Sequence, residues 1–503
     1  MGELNLESST PLLLLFLLLL PLLSFLYLSL WSKRRHALPP GPRPWPLVGN
    51  LFHLSRKAPH VDFEKWAHTY GPLFSFRLGS ELLVVASSPN MAAQVLKTHD
   101  RLLSARFVPH AVRVKDYIEH SLGWAVSTDE NWKSLRKFCK TELFSPKTLG
   151  LQTGLREEKV SQLVLSVLGR QGEEVEIGEL VFETALNVLG GTIFSRDIFT
   201  SAQTHQVSEV KNLVSRAVEM AVVPNLSDIF PMLAALDIQG LNREATKYNH
   251  RMYRIWEALI EEKKREMSSG SPNSDFLSIL LAARFGDLQL KAFLTDMFIA
   301  GTDTTTRTTE WTLAEIIRNP QVMARVRDEL RSVVGERING GIINAVKETH
   351  LVHLHYLHAC IKESLRLHPP VPLLIPHRAL EDCKVMNYVI PKDSRAMVNV
   401  WAIGRDPETW NDPLKFTPER FLDSGLDYSG KDFKFTPFGG GRRICPGSPL
   451  ASLLVPLVLA SLIHSFDWSL PHGENPEELD MAEKFGLTLA KEKPLRLVPK
   501  RLP

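Results

Sequence analysis

From Leu12 to Trp31 the chain carries no charge and is dominated by leucine. A helix that crosses a bilayer core needs about 20 such residues, so the spacing predicts a membrane anchor over 1–31. Pro21, Ser24 and Ser29 interrupt the run, and membrane helices tolerate such residues. Lys33, Arg34 and Arg35 follow it, whereas Glu3 and Glu7 precede it. That order places the N-terminus on the lumenal side and the bulk of the chain in the cytoplasm. A cleaved signal peptide would show the opposite order, with basic residues first and a shorter apolar run. Residues 32–50 read as a basic flank and a stiff spacer, because Pro39–Pro46 holds five prolines in eight residues. From 51 to 503 apolar residues recur mostly at helical spacing, with short strand-like runs at Leu82–Ala86 and Met397–Val400. The expected body is one large domain, mainly α with small β-sheets.

One stretch breaks the pattern from within. Leu288–Arg318 reads as a single long helix ending before Pro320, yet its middle holds Gly301 and seven threonines between Thr302 and Thr312. Glycine costs about 1 kcal/mol relative to alanine in a helix, and each threonine roughly half that. Such a stretch is either a loop between two helices or a helix bent to a function. In the second case Ala300 and Gly301 clear space for a flat group and a small ligand. Thr304 can then back-bond to the carbonyl four residues earlier, and Asp303 beside it makes an acid–hydroxyl pair able to handle protons.

Composition narrows the function. With 59 Lys+Arg against 56 Asp+Glu the net charge is +3, which gives no electrostatic case for nucleic acid. The four cysteines form no CxxC pair and are too few for a disulfide scaffold. Cys139, Cys360 and Cys383 have the settings of ordinary thiols. Cys445 differs, lying in Phe438-Gly439-Gly440-Gly441-Arg442-Arg443-Ile444-Cys445-Pro446-Gly447, just before the apolar helical run Leu450–Phe466. A helix N-terminus favours thiolate over thiol. The residues alone leave two uses open: a nucleophile needing a base from elsewhere, or a soft ligand to iron with Arg443 pairing an anionic group.

Phe438, Gly441, Arg443, Cys445 and Gly447 fit every fixed position of the FxxGxRxCxG haem-ligand signature of cytochrome P450 monooxygenases, and the chain resembles that family. Glu363 and Arg366 match its ExxR pair, and Pro418-Glu419-Arg420-Phe421 its PERF segment, which together imply a Glu–Arg–Arg network holding the cysteine loop. Trp132 and Arg136 match the WxxxR helix that contacts a haem propionate. His377 stands where the family commonly has an arginine for the other propionate, a departure that Arg378 could make good. Ala300-Gly301-Thr302-Asp303-Thr304 matches the AGxDT segment over the iron.

The resemblance implies the cytochrome P450 fold, haem b with Cys445 as its axial thiolate, and oxygen activation with proton delivery through Asp303 and Thr304. It also implies electrons from NADPH through a separate flavoprotein reductase, for which Lys133, Lys137 and Lys140 offer a basic docking face. By family position the substrate pocket takes Phe107, Val108, Phe298, Ala300, Gly301, Val371, Leu374, Ile375, Phe485 and Leu487, an apolar set suited to a small lipophilic substrate. Ala300–Thr306 with Glu310-Trp311, Phe435–Ala451 and Pro476–Gly486 resemble the plant microsomal group that hydroxylates terpenoids and benzylisoquinoline alkaloids. That group implies an endoplasmic-reticulum membrane location. Ser448 and the run Thr305-Thr306-Arg307 depart from its usual residues. The rival readings are a haem-thiolate isomerase or phenol-coupling enzyme, a non-catalytic haem-binding membrane protein, and a membrane-anchored thiol hydrolase.

Overall fold

The computed structural model describes residues 38–55, 57–197, 204–269, 275–335 and 345–501. The expected membrane segment and basic flank therefore lie outside the described residues. The proline run is part of the body rather than a free spacer. Ser75 donates from its backbone to Pro40 O at 2.8 Å and from its hydroxyl to Pro39 O at 2.7 Å. A Cβ on Gly41 would meet Ser75 O at 1.7 Å, so only glycine lets the two backbones approach this closely.

Five short strands make the main sheet: β1 (Leu73–Leu78), β2 (Glu81–Ala86), β3 (Ala105–Arg106), β4 (His377–Arg378) and β5 (Arg395–Val398). Their order is β1-β2-β5-β4-β3, with β2 parallel to β5 and the other pairs antiparallel. One register matters for the site: Arg106 lies opposite His377.

Among the described residues three smaller sheets of two or three strands lie apart from it, and helices supply most of the rest. Those that build the site are α1 (Glu130–Phe138), α2 (Ile177–Phe194), α3 (Leu241–Ser268), α4 (Asp287–Arg318), α5 (His355–Leu367) and α6 (Ser448–Ser465). Helices α2 and α6 are apolar enough to cross a membrane, but both are mostly buried inside the body and serve as core helices. Helix α4 runs through the core against α2 and α3. Phe298 stacks on Trp256 of α3 at 4.7 Å, and the Trp256 indole N–H donates to Thr295 Oγ1 at 3.0 Å.

The threonine-rich middle of α4 is unbroken helix. Each of the seven hydroxyls donates to the carbonyl four residues earlier, from Thr302 to Phe298 O at 2.6 Å through Thr312 to Thr308 O at 2.7 Å. No hydroxyl is left to compete for another backbone conformation, and tertiary packing overrides the low propensity. The helix stops at Asn319, the residue before Pro320, where proline disfavours helical backbone.

Candidate haem and substrate site

Helix α5 brings Glu363 and Arg366 onto one fully buried face. Arg366 donates twice to Glu363, at 2.7 and 2.8 Å, and Arg420 donates to the same carboxylate at 2.9 Å. The Thr417 backbone N–H adds a bond at 2.8 Å. Surplus guanidinium protons go to backbone carbonyls, including Pro413 O at 2.7 Å and Gly404 O. Every charge in this network has a partner.

The cysteine loop lies beneath α4. Cys445 donates its backbone N–H to Phe438 O at 2.9 Å. Burial pushes its thiol above the ordinary value, with the N–H groups of Gly447 and Ser448 acting against the shift. The helix N-terminus thus acts in the expected direction, toward thiolate, against the desolvation. Gly439 and Gly440 line the cavity, and Gly441 does not. At φ +62°, a Cβ on Gly441 would meet Leu96 O at 1.8 Å, so this glycine serves backbone packing rather than a flat partner.

Three guanidiniums converge beside the loop. Arg443 donates to Ser104 O at 2.8 Å and sits 4.6 Å over the Trp132 ring. Arg136 donates to Ile444 O, and Arg106 to Ile375 O. Among the described residues no carboxylate pairs with any of them, and Arg106 Nε is buried without a hydrogen-bond partner. Burial and the neighbouring guanidiniums push Arg106 well below its ordinary value, and Arg443 falls to about 9. A cluster of buried cations bonded only to carbonyls is short of negative charge.

His377 lines the same cavity as the three arginines. Its Nδ1 donates to Leu103 O at 2.6 Å, and burial beside Arg106 and Arg443 pushes its pKa well below the ordinary value. Arg378 does not make good the departure, since it faces Asp393 at 3.8 Å and is exposed enough to be solvated. Arg106, opposite His377 in the register and named by no sequence motif, also lines the cavity. The Trp132 indole N–H is already committed to Leu122 O at 2.9 Å.

The cavity, of about 290 Å³, runs from Cys445, Phe438 and the three arginines up to Ala300 and Thr304 of α4. Val371, Leu374, Ile375 and Leu487 complete its apolar wall. Phe107, Val108, Phe298, Gly301 and Phe485 do not line it. Strand alternation turns Phe107 away from Arg106, under the Arg395 guanidinium at 3.5 Å. Val108 packs with Val112 and Met220. Phe298 and Gly301 are on the faces of α4 turned to Trp256 and to Leu189 of α2. Phe485 stacks on His60 at 5.3 Å.

Thr304 faces the cavity and donates to Ala300 O at 2.6 Å. Asp303 turns aside, accepting from Thr488 Oγ1 at 2.5 Å and lying 3.4 Å from Arg307. Thr488 itself lines the cavity, so it bridges the space between Asp303 and the pocket. The spacing of the AGxDT segment gave no hint of this partner.

The sequence profile of the family described as Cytochrome P450 matches residues 39–497. The chain is a cytochrome P450. It is 49% identical over 95% of its length, and 96% of the relative's, to a probable (S)-N-methylcoclaurine 3'-hydroxylase isozyme of Coptis japonica. It is 42% identical to corytuberine synthase of Coptis japonica, over 96% of this chain and 98% of that one. Against geraniol 8-hydroxylase of Swertia mussotii the identity is 40%, over 94% and 95% of the two chains. As a cytochrome P450 the protein is a haem-thiolate monooxygenase that takes electrons from NADPH through a reductase. The residues fit that group. The lone cysteine in the cavity suits a metal whose other ligands come from a macrocycle, and the unpaired cations suit its two carboxylates.

Proposed function

We propose that this cytochrome P450 hydroxylates the aromatic ring of a benzylisoquinoline amine of the N-methylcoclaurine type. The observation that carries this reading is a single apolar cavity joining Cys445 to Val371, Leu374 and Leu487, in a chain 49% identical over 95% of its length to an N-methylcoclaurine 3'-hydroxylase. Cys445 would hold the haem iron through its sulfur, and Arg106, Arg136 and Arg443 would hold the haem carboxylates. The haem supplies oxygen binding and reduction. The chain contributes the rest. Its apolar wall orients the substrate and excludes water. Thr304 Oγ1, donating to Ala300 O, presents its lone pairs to a proton donor at the cavity face, and Asp303 reaches the cavity through Thr488 Oγ1.

The protein works at a membrane surface. Exposed Trp45, Leu47 and Phe52 lie beside exposed Met232, Leu236 and Ile238, since Val48 and Ile229 both bond to the turn at Gly79–Ser80. This apolar face supports a body seated on the endoplasmic-reticulum bilayer next to the 1–31 anchor. Lys133, Lys137 and Lys140 stay exposed on the Cys445 side, which supports reductase docking there. The test is a difference-spectrum titration of the haem-loaded chain with (S)-N-methylcoclaurine and geraniol. Saturable binding and NADPH-dependent 3'-hydroxylation of the first are expected; binding of geraniol alone overturns the substrate assignment. Thr304→Ala is expected to lower product formed per NADPH by up to about tenfold, and unchanged coupling contradicts its role.

A further inference from the structure

We propose that Asp296 is a positioning residue that fastens the Tyr117–Trp124 segment to helix α4 and so sets one wall of the substrate cavity. Asp296 stands one turn before Ala300, on the stripe of α4 that faces the cavity. Both its oxygens are taken. Oδ1 accepts from Tyr117 Oη at 2.6 Å and Ser121 Oγ at 3.0 Å. Oδ2 accepts from Ser121 Oγ at 2.8 Å and from the backbone N–H groups of Leu122 at 2.6 Å and Gly123 at 3.2 Å. A carboxylate so surrounded has no free lone pair with which to meet a substrate ammonium, and its work is on the chain itself.

The segment it holds needs such an anchor. From Ser121 to Ser127 the backbone forms neither helix nor strand, so its N–H groups have no ladder to satisfy them. Yet Tyr117, Leu122, Gly123 and Trp124 all line the cavity. The segment's other edge is tied to the cradle, where Leu122 O accepts from the Trp132 indole at 2.9 Å and Ala125 O accepts from Arg443. One short segment therefore joins the substrate helix to the residues that hold the haem carboxylates. Loss of Asp296 frees the first edge and leaves the second. Asparagine in its place would offer one acceptor and turn an NH2 group against N–H donors.

The inference rests on the cavity being the substrate site, and the experiment separates the two. The haem-loaded full chain is compared with Asp296→Asn and with the milder Tyr117→Phe/Ser121→Ala pair. Hydrogen exchange of the Leu122 and Gly123 amides is expected to rise at least about tenfold in Asp296→Asn, and less in the pair. Imidazole itself is expected to bind the iron unchanged, while clotrimazole, an imidazole with a bulky triaryl group, binds about tenfold more weakly. Should Asp296→Asn fail to fold, the pair carries the same split in smaller measure. Unchanged exchange, or equal weakening of both azoles, overturns the proposal. A wild-type chain giving no azole spectrum at all refutes the site reading instead.

Discussion

Two groups of buried and half-buried arginines serve the cysteine loop, and they are completed in different ways. Arg366 and Arg420 share Glu363, and spare protons reach backbone carbonyls, so that network is closed within the chain. Arg106, Arg136 and Arg443 reach only carbonyls, and no acid among the described residues answers their charge. Desolvating a charge is tolerable when a partner is desolvated with it and costly otherwise. The closed group is therefore a structural brace, complete before any cofactor arrives. The open group is a receptor for negative charge, stable in full only when that charge is supplied.

Substitution can break each half of this contrast. Glu363→Gln leaves two guanidiniums without a counter-charge and is expected to cost about 3–5 kcal/mol, whether or not haem is bound. Denaturant unfolding of both forms checks it, and a loss confined to the haem-loaded form would contradict the brace. Arg420→Met removes the outer member, partly screened by solvent, and is expected to cost about 1–3 kcal/mol by the same measurement. Arg443→Met is expected to weaken haem retention about tenfold, a change of about 1.4 kcal/mol, as read from haem transfer to an apo-globin acceptor. An Arg443→Met chain that unfolds as readily as Glu363→Gln would erase the distinction.

The closed group was legible in the sequence, and the open one only in part. Glu363, Arg366, Arg420, Trp132, Arg136 and the Cys445 loop stand in motifs of fixed local spacing, and one helix or one turn carries each. Arg106 is legible only through the register that puts it opposite His377, which pairs residues 271 positions apart by numbering (377 less 106). Thr488 and Tyr117 find Asp303 and Asp296 over 185 and 179 positions along the chain. The misplaced wall residues have a simpler cause. At 100° per residue, Phe298 cannot share a face with Ala300 and Thr304, Gly301 packs its backbone against Leu189 of α2, and strand alternation separates Phe107 from Arg106. A family position names a segment, whereas the pleat and the helix turn decide which side chain in it reaches the cavity.

The most direct test is the sign of one small effect. Arg106→Met removes the cation whose Nε has no partner. In the haem-free chain it is expected to raise stability by about 1 kcal/mol, because an uncompensated buried charge is gone. In the haem-loaded chain it is expected to lower stability by a similar amount, because a paired carboxylate is stranded. Thermal unfolding of wild type and variant, each with and without haem, measures both. Opposite signs are the predicted result; the same sign in both forms would contradict the account of an open cradle completed by its cofactor.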